Sequence, residues 1–182
     1  FEAEGLFADN MDFFLQFDDL DHGMEWCEEQ IISETAIGSN KQKKEIDEIK
    51  LFEEKFADLL IYFESKDINQ DTTLIEQGSD PDGLYFIKSG RVTVELRSSN
   101  NKIRLKSMGT GTVVGEVSLY LKTQATASVI SNTDCKTYFL SHEKFEKLNK
   151  ETPERAAELH TYIVKLLSDR LAKSNATIQA LM

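Results

Sequence analysis

Val114-Gly115-Glu116-Val117-Ser118-Leu119, followed closely by Thr123-Gln124-Ala125-Thr126-Ala127-Ser128, is the stretch whose reading decides the fold. A Gly-Glu pair opens a short apolar turn, and small residues then lead into another strand. Backbone N–H groups at the start of such a turn converge on one concavity and can hold a phosphate. The wider region Phe86 to Val129 carries short segments parted by turn residues, so the cradle lies inside an all-β arrangement.

Working outward, the strand signals are frequent and short. Thr73-Leu74-Ile75 is one candidate, closed by the turn-rich Gln77-Gly78-Ser79-Asp80-Pro81-Asp82-Gly83. Leu84 to Lys88 is the next, then a Ser89-Gly90 turn, then Arg91 to Leu96 with Val92, Val94 and Leu96 alternating onto one face. Ser98 to Asn101 forms a hairpin loop and Lys102 to Met108 the returning strand. Ala125 to Ile130 and Thr137 to Leu140 complete the set. Strands this short, with turns at this rate, point to a small barrel or roll.

Helices flank this region. From Ile46 to Phe63 the residues Ile49, Phe52, Phe56, Leu59, Leu60 and Phe63 recur at helical spacing. Ser141 caps a short helix carrying Phe145 and Leu148. Thr152-Pro153-Glu154 starts another, with a capping hydroxyl, proline at the first position and an acid in the first turn. Leu159, Ile163, Leu166, Leu167 and Leu171 form its apolar stripe, which either covers the chain's own core or pairs with a second copy. The fold class is therefore α+β.

Composition bounds the partners. The 182 residues are 40% apolar and 29% charged, with a net charge of −11. Residues 1–65 hold 18 acidic against 5 basic side chains, and residues 66–182 hold 14 against 16. The acidic front excludes nucleic acid and an anionic bilayer as its direct partner, whereas the near-neutral remainder leaves room for one small anion. Cys27 and Cys135 lie far apart with no zinc spacing, so neither a metal nor any cofactor is expected.

The front of the chain reads differently. Phe13-Phe14-Leu15-Gln16-Phe17 is a short buried strand. Leu20, Met24, Cys27 and Ile31 then mark one stripe of a helix from about Asp19 to Ser33. His22 and Trp26 form a packing pair on it. A lone strand and helix cannot bury two faces, so residues 1–37 are expected to be the tail of a larger domain. Residues 38–45 read as a polar linker and 46–182 as the second domain.

Other patterns have plain explanations. Gly109-x-Gly111-x-x-x-Gly115 misses the dinucleotide fingerprint and sits among strands, so turn glycines account for it. His142-Glu143 lacks the second histidine of a zinc-protease helix. Asn175-Ala176-Thr177 is a sequon by letters alone. No nucleophile elbow, phosphate loop or paired catalytic carboxylates occur, so an enzyme is not expected.

Residues 51–182 resemble a cyclic nucleotide-binding domain. The resemblance rests on Leu74-Ile75-x-x-Gly78, Gly83-Leu84-Tyr85-Phe86-Ile87-x-x-Gly90-x-Val92, Gly109-x-Gly111, Gly115-Glu116-x-Ser118-Leu119 and Ala127-Ser128-Val129. It implies an eight-stranded β-roll (jelly roll) with a phosphate-binding cassette and a C-terminal helix able to act as a lid. The implied cassette is Gly115, Glu116, Val117, Ser118, Ala125, Thr126 and Ala127. In the family an arginine binds the phosphate and a glutamate the ribose; here the arginine falls by count at Ala125, and Glu116 is left without a cationic neighbour. Lys122 is the nearest substitute. The resemblance therefore implies a degenerate cassette, with a working sensor for a cyclic nucleotide or other small anion as the alternative.

Phe17 to Glu28 resembles the last strand and helix of the STAS domain in sulfate-permease (SulP) family transporters. That likeness implies a cytosolic regulatory module on a plasma-membrane or fungal vacuolar transporter. Its partners would be that transporter's own STAS and transmembrane domains, with a homo-oligomer as a further option.

Overall fold

The computed structural model describes residues 48–80, 82–98 and 101–180, the side chains of 177, 178 and 180 excepted. The chain divides into two units, Phe1–Lys44 and Glu45–Met182. The expectations for residues 1–37 and 38–45, including the strand, the Asp19–Ser33 helix and the His22–Trp26 pair, lie outside the described residues.

Among the described residues, eight strands form two four-stranded antiparallel sheets. β1 (Glu64–Ile68), β8 (Cys135–Ser141), β3 (Gly83–Ser89) and β6 (Val113–Val114) make one, in that order. β2 (Thr73–Ile75), β7 (Ser128–Ser131), β4 (Val92–Ser98) and β5 (Asn101–Met108) make the other. Helix α1 (48–55) precedes the sheets and α2 (Glu116–Leu121) interrupts them. Helices α3 (His142–Glu151) and α4 (Pro153–Ala180) follow them.

Strand β3 explains how the layers stack. Its run Gly83 to Ile87 is buried without alternation because both faces are covered. Leu84 and Phe86 point into a cluster with Phe52, Phe56, Leu59, Phe63, Leu140, Leu148, Leu159 and Ile163, between the first sheet and the helices. Tyr85 and Ile87 point the other way, into the roll interior with Val92, Met108, Val114, Val129 and Phe139. Leu159 and Ile163 are fully buried there, so that part of the α4 stripe covers the chain's own core.

Several boundaries differ from expectation. The apolar run expected as one helix to Phe63 breaks after 55, and Ala57–Tyr62 continues as a 3-10 turn. β1 was hidden by its polar sequence. It is an edge strand paired in register with β8, and Lys66 covers the ring of Phe139 at 3.6 Å instead of an apolar side chain doing so. The strand expected from Ala125 begins only at Ser128, because residues 125–127 are loop. Ser141 does cap α3, its hydroxyl accepting from Lys144 N–H at 3.3 Å. Thr152 does not cap α4 with its hydroxyl, which donates back to the Leu148 carbonyl of α3 at 3.3 Å.

Candidate functional site

The cassette begins at Gly115. Its φ of 87° is a left-handed conformation, and a Cβ there would lie 2.6 Å from the Gly83 carbonyl oxygen. Only glycine meets both demands. The segment read as a short turn is the six-residue helix α2, which Leu119, 2% exposed, anchors to the helix-side core. It ends at Lys122, also left-handed, whose N–H returns to Ser118 O. Lys122 is exposed, and its position at this terminus does not place it in the cradle.

Ala125 is held by its backbone. Its N–H donates to Ser79 O at 2.9 Å and its carbonyl accepts from Gly78 N–H at 2.7 Å. Ser128 Oγ at the start of β7 accepts from Gln77 N–H at 3.0 Å, so three bonds join the loop after α2 and the first residue of β7 to the loop after β2. The Ala125 methyl is buried, Thr126 is exposed and Ala127 is half-buried.

These residues line a cavity of about 110 Å³. Ile75, Val94, Met108 and Val129 form its apolar lining, with Gly115 to Ser118 and Ala125 to Ala127 around them. All seven cassette residues expected from the sequence come together here.

An eighth residue joins them from far along the chain. Arg170 of α4 also lines the cavity, donating from Nη1 to Glu116 Oε1 at 2.9 Å and from Nη2 to the Val113 carbonyl at 2.7 Å. This corrects the expectation that Glu116 lacks a cationic neighbour. The signal was available in principle: Arg170 keeps the helical phase of the buried Leu159 and Ile163 and the half-buried Leu166. A guanidinium in phase with a core stripe must find a buried acceptor.

Burial pushes the Glu116 carboxyl above its ordinary value, and the opposing Arg170 guanidinium offsets only part of that rise. Glu116 is 2% exposed while the Arg170 side chain is 25% exposed, so solvent screening reaches the pair from the guanidinium side. A second link runs alongside. Tyr120 Oη lies 2.7 Å from His160 Nδ1, and His160 Nε2 lies 2.8 Å from Asn149 Oδ1. Burial lowers the His160 pKa and raises that of Tyr120 to about 12, so both are neutral near pH 7. Helix α2 is thus fastened to α4 at both its ends.

Among the described residues no cluster of His, Cys, Asp or Glu is placed to hold a metal, and no helix is long and apolar enough to cross a membrane. The chemistry on offer is reversible polar binding: one guanidinium, one buried carboxylate and a backbone turn around a small hollow.

Comparison with known proteins places this geometry. The model of the cyclic nucleotide-binding domain family matches residues 65–152. Glutaminase 2 of Bradyrhizobium diazoefficiens is 27% identical over 167 residues, covering 89% of this chain and 26% of that protein. That coverage exceeds the unit Glu45–Met182, so the likeness reaches into the first unit. A potassium/sodium hyperpolarization-activated cyclic nucleotide-gated channel of Mus musculus, number 2, is 31% identical over 105 residues, covering 58% of this chain and 12% of the channel. The chain spans about a quarter or less of these relatives. A cyclic nucleotide-binding domain from Methylobacillus flagellatus superposes with a TM-score of 0.65 at 22% identity, covering 71% of this chain and 73% of that one, which supports the fold.

Proposed function

Because residues 65–152 form a domain of the cyclic nucleotide-binding family, we propose that the chain is a regulatory module whose cassette does not bind cyclic nucleotides tightly. The observation that carries this is the pairing at the cassette: Ala125 offers a methyl where the family resemblance calls for arginine. The cation that does reach the site, Arg170, is already engaged by Glu116 and Val113. A hydrogen bond to a charged group contributes roughly 1.5–3 kcal/mol, so the missing arginine weakens phosphate binding by about ten- to a hundredfold. The cavity also falls well below the roughly 300 Å³ at which small-molecule pockets begin.

Calorimetry with cyclic AMP and cyclic GMP is expected to give no isotherm at micromolar ligand, and Ala125→Arg to give one. A micromolar isotherm from the unaltered chain overturns the reading and establishes a working sensor instead.

Two hosts for such a module follow from different observations. The likeness of Phe17 to Glu28 to a STAS terminus favours a SulP-type transporter, with the module on the cytosolic side against its STAS and transmembrane domains. The match to glutaminase 2 favours a regulatory region of a glutamine-hydrolysing enzyme, and it is the broader support because it covers 89% of the chain. Purifying the natural protein that contains this chain decides between them. Glutamine hydrolysis by that protein excludes the transporter, and anion uptake by reconstituted vesicles excludes the hydrolase.

A further inference from the structure

A second hollow, about 310 Å³, lies behind the cassette and shares with the first only Ile75, Gly115, Ser118 and Ala125. It is nearly three times the larger, and its charged groups are all acidic where the first hollow carries the Glu116–Arg170 pair. Leu74, Ile75 and the Tyr85 ring supply apolar surface; Glu76, Asp80 and Asp82 supply carboxylates. No cationic side chain lines it.

We propose that this hollow binds a small organic cation, an alkylammonium or alkylguanidinium with a short apolar stem. The site does not depend on whether the cassette is silent or working.

One observation independent of the acidic rim points to a ligand. Ser118 is 6% exposed and Tyr85 is 9% exposed, both line the hollow, and neither hydroxyl has a hydrogen-bond partner among the described residues. The two side chains are almost wholly buried but their oxygens are not sealed off, since Glu95 Oε2 is the fully buried side-chain polar atom without a partner among the described residues. Both hydroxyls are therefore free to bond a ligand in the hollow they line. The rim carboxylates are also unequally engaged. Glu76 lies 4.0 Å from Arg97, while Asp80 and Asp82 have no salt-bridge partner among the described residues.

The field acts on the wall as well. Burial raises the Tyr85 hydroxyl pKa, and the Asp82 carboxylate adds to the rise, which places negative potential across the hollow. An alkyl stem on Leu74, Ile75 and the Tyr85 ring would leave its charged head at Asp80 and Asp82, with Ser118 and Tyr85 accepting N–H bonds. An anion would meet the carboxylates without a counter-charge. A neutral apolar ligand would leave both hydroxyls unmet.

The test uses the chain itself, titrated with butan-1-amine and N-butylguanidine and followed by amide chemical shifts, with butan-1-ol as the neutral control. Saturable binding of at least one cation is expected, with shifts centred on residues 73–85 and 118. Asp80→Asn with Asp82→Asn should weaken it about tenfold or more. Both side chains are exposed, and the structural role of Asp82, its carbonyl accepting from His142 N–H at 2.7 Å, survives the change. Tyr85→Phe and Ser118→Ala should each weaken binding severalfold. Added salt should weaken it too, since the carboxylates are solvent-facing.

Failure of both cations to bind overturns the proposal, as does equal binding of butan-1-ol or indifference to the double substitution. Binding of a blocked diarginine peptide without binding of either small cation overturns the small-molecule assignment in favour of a protein side chain.

Discussion

The two apolar clusters on either side of β3 are built from the same strand yet behave differently. On the helix side, Phe52, Phe56, Leu84, Leu140, Leu159 and Ile163 are at most 1% exposed. Phe52 stacks on Phe86 at 4.6 Å and meets Phe56, Phe63 and Tyr162 within 6.0 Å. Inside the roll the side chains are smaller, and hollows remain beside Gly115 and Ala125. The sealed side holds the fold together, and the open side is free to carry a ligand. Arg170 reaches from the helix covering the first cluster to Glu116 and Val113 beside the second.

The largest expected effect tests the sealed side. Phe52→Ala should cost about 3–5 kcal/mol in urea unfolding, because a packed aromatic leaves a cavity that rigid neighbours cannot fill. A loss below about 1 kcal/mol would mean the helix side is as loosely packed as the roll interior.

Next comes the bridge between the two. Arg170→Ala leaves the Glu116 carboxylate buried without its partner and should cost about 1–3 kcal/mol. Amide exchange should quicken in α2 and in the last turns of α4, and Arg170→Lys should recover only part. An ammonium cannot present the planar fork that spans Glu116 and Val113. Unchanged exchange in α2 would show that the cassette is held without α4.

Gly115→Ala should cost about 1–2 kcal/mol through its left-handed backbone, with the close approach of Gly83 adding to it. Urea midpoints measure this, and no change would mean the cassette turn relaxes freely.

The smallest effect separates the two sides by sign. The Tyr138 hydroxyl, followed by Lys88, holds Glu53 on the helix side below its usual 4.5. Its contribution to stability is present above that value and is lost as pH falls through the lowered one. Burial holds Glu116 above 4.5, so its contribution is full below that pH and is lost as pH rises through the raised value. In melting temperatures against pH, Glu53→Gln should flatten the acid limb, whereas Glu116→Gln should flatten the slope just above it. Identical profiles for the two variants would remove the distinction.

Much of the roll was legible because its signals are local. Alternation in Val92, Val94 and Leu96 marks β4, and turn glycines punctuate the neighbouring strands. Ser141 announces α3. What escaped has a physical cause in each case. β1 carries no apolar alternation because an edge strand can cover its neighbour with a polar side chain, here the Lys66 ammonium over the Phe139 ring. The change from α1 to a 3-10 turn follows packing around Phe56 and Leu59, which a helical period over the same residues also satisfies. Residues 125–127 have strand-like composition, but their hydrogen bonds go to Gly78 and Ser79, a pairing that only the folded loops create.

The candidate site divides in the same way. Sequence alone determined the cassette turn, the carboxylate at Glu116 and the methyl at Ala125, since these follow from residue identity and spacing over a dozen positions. Tertiary structure alone decided what faces them. Arg170 lies 54 residues from Glu116 and meets it only because α4 lies across the roll. The second hollow exists only because the loops after β2 and α2 close around Tyr85 and Ser118. A motif records the groups a chain can offer at one place, while charge pairing and cavity shape depend on segments that no local pattern relates.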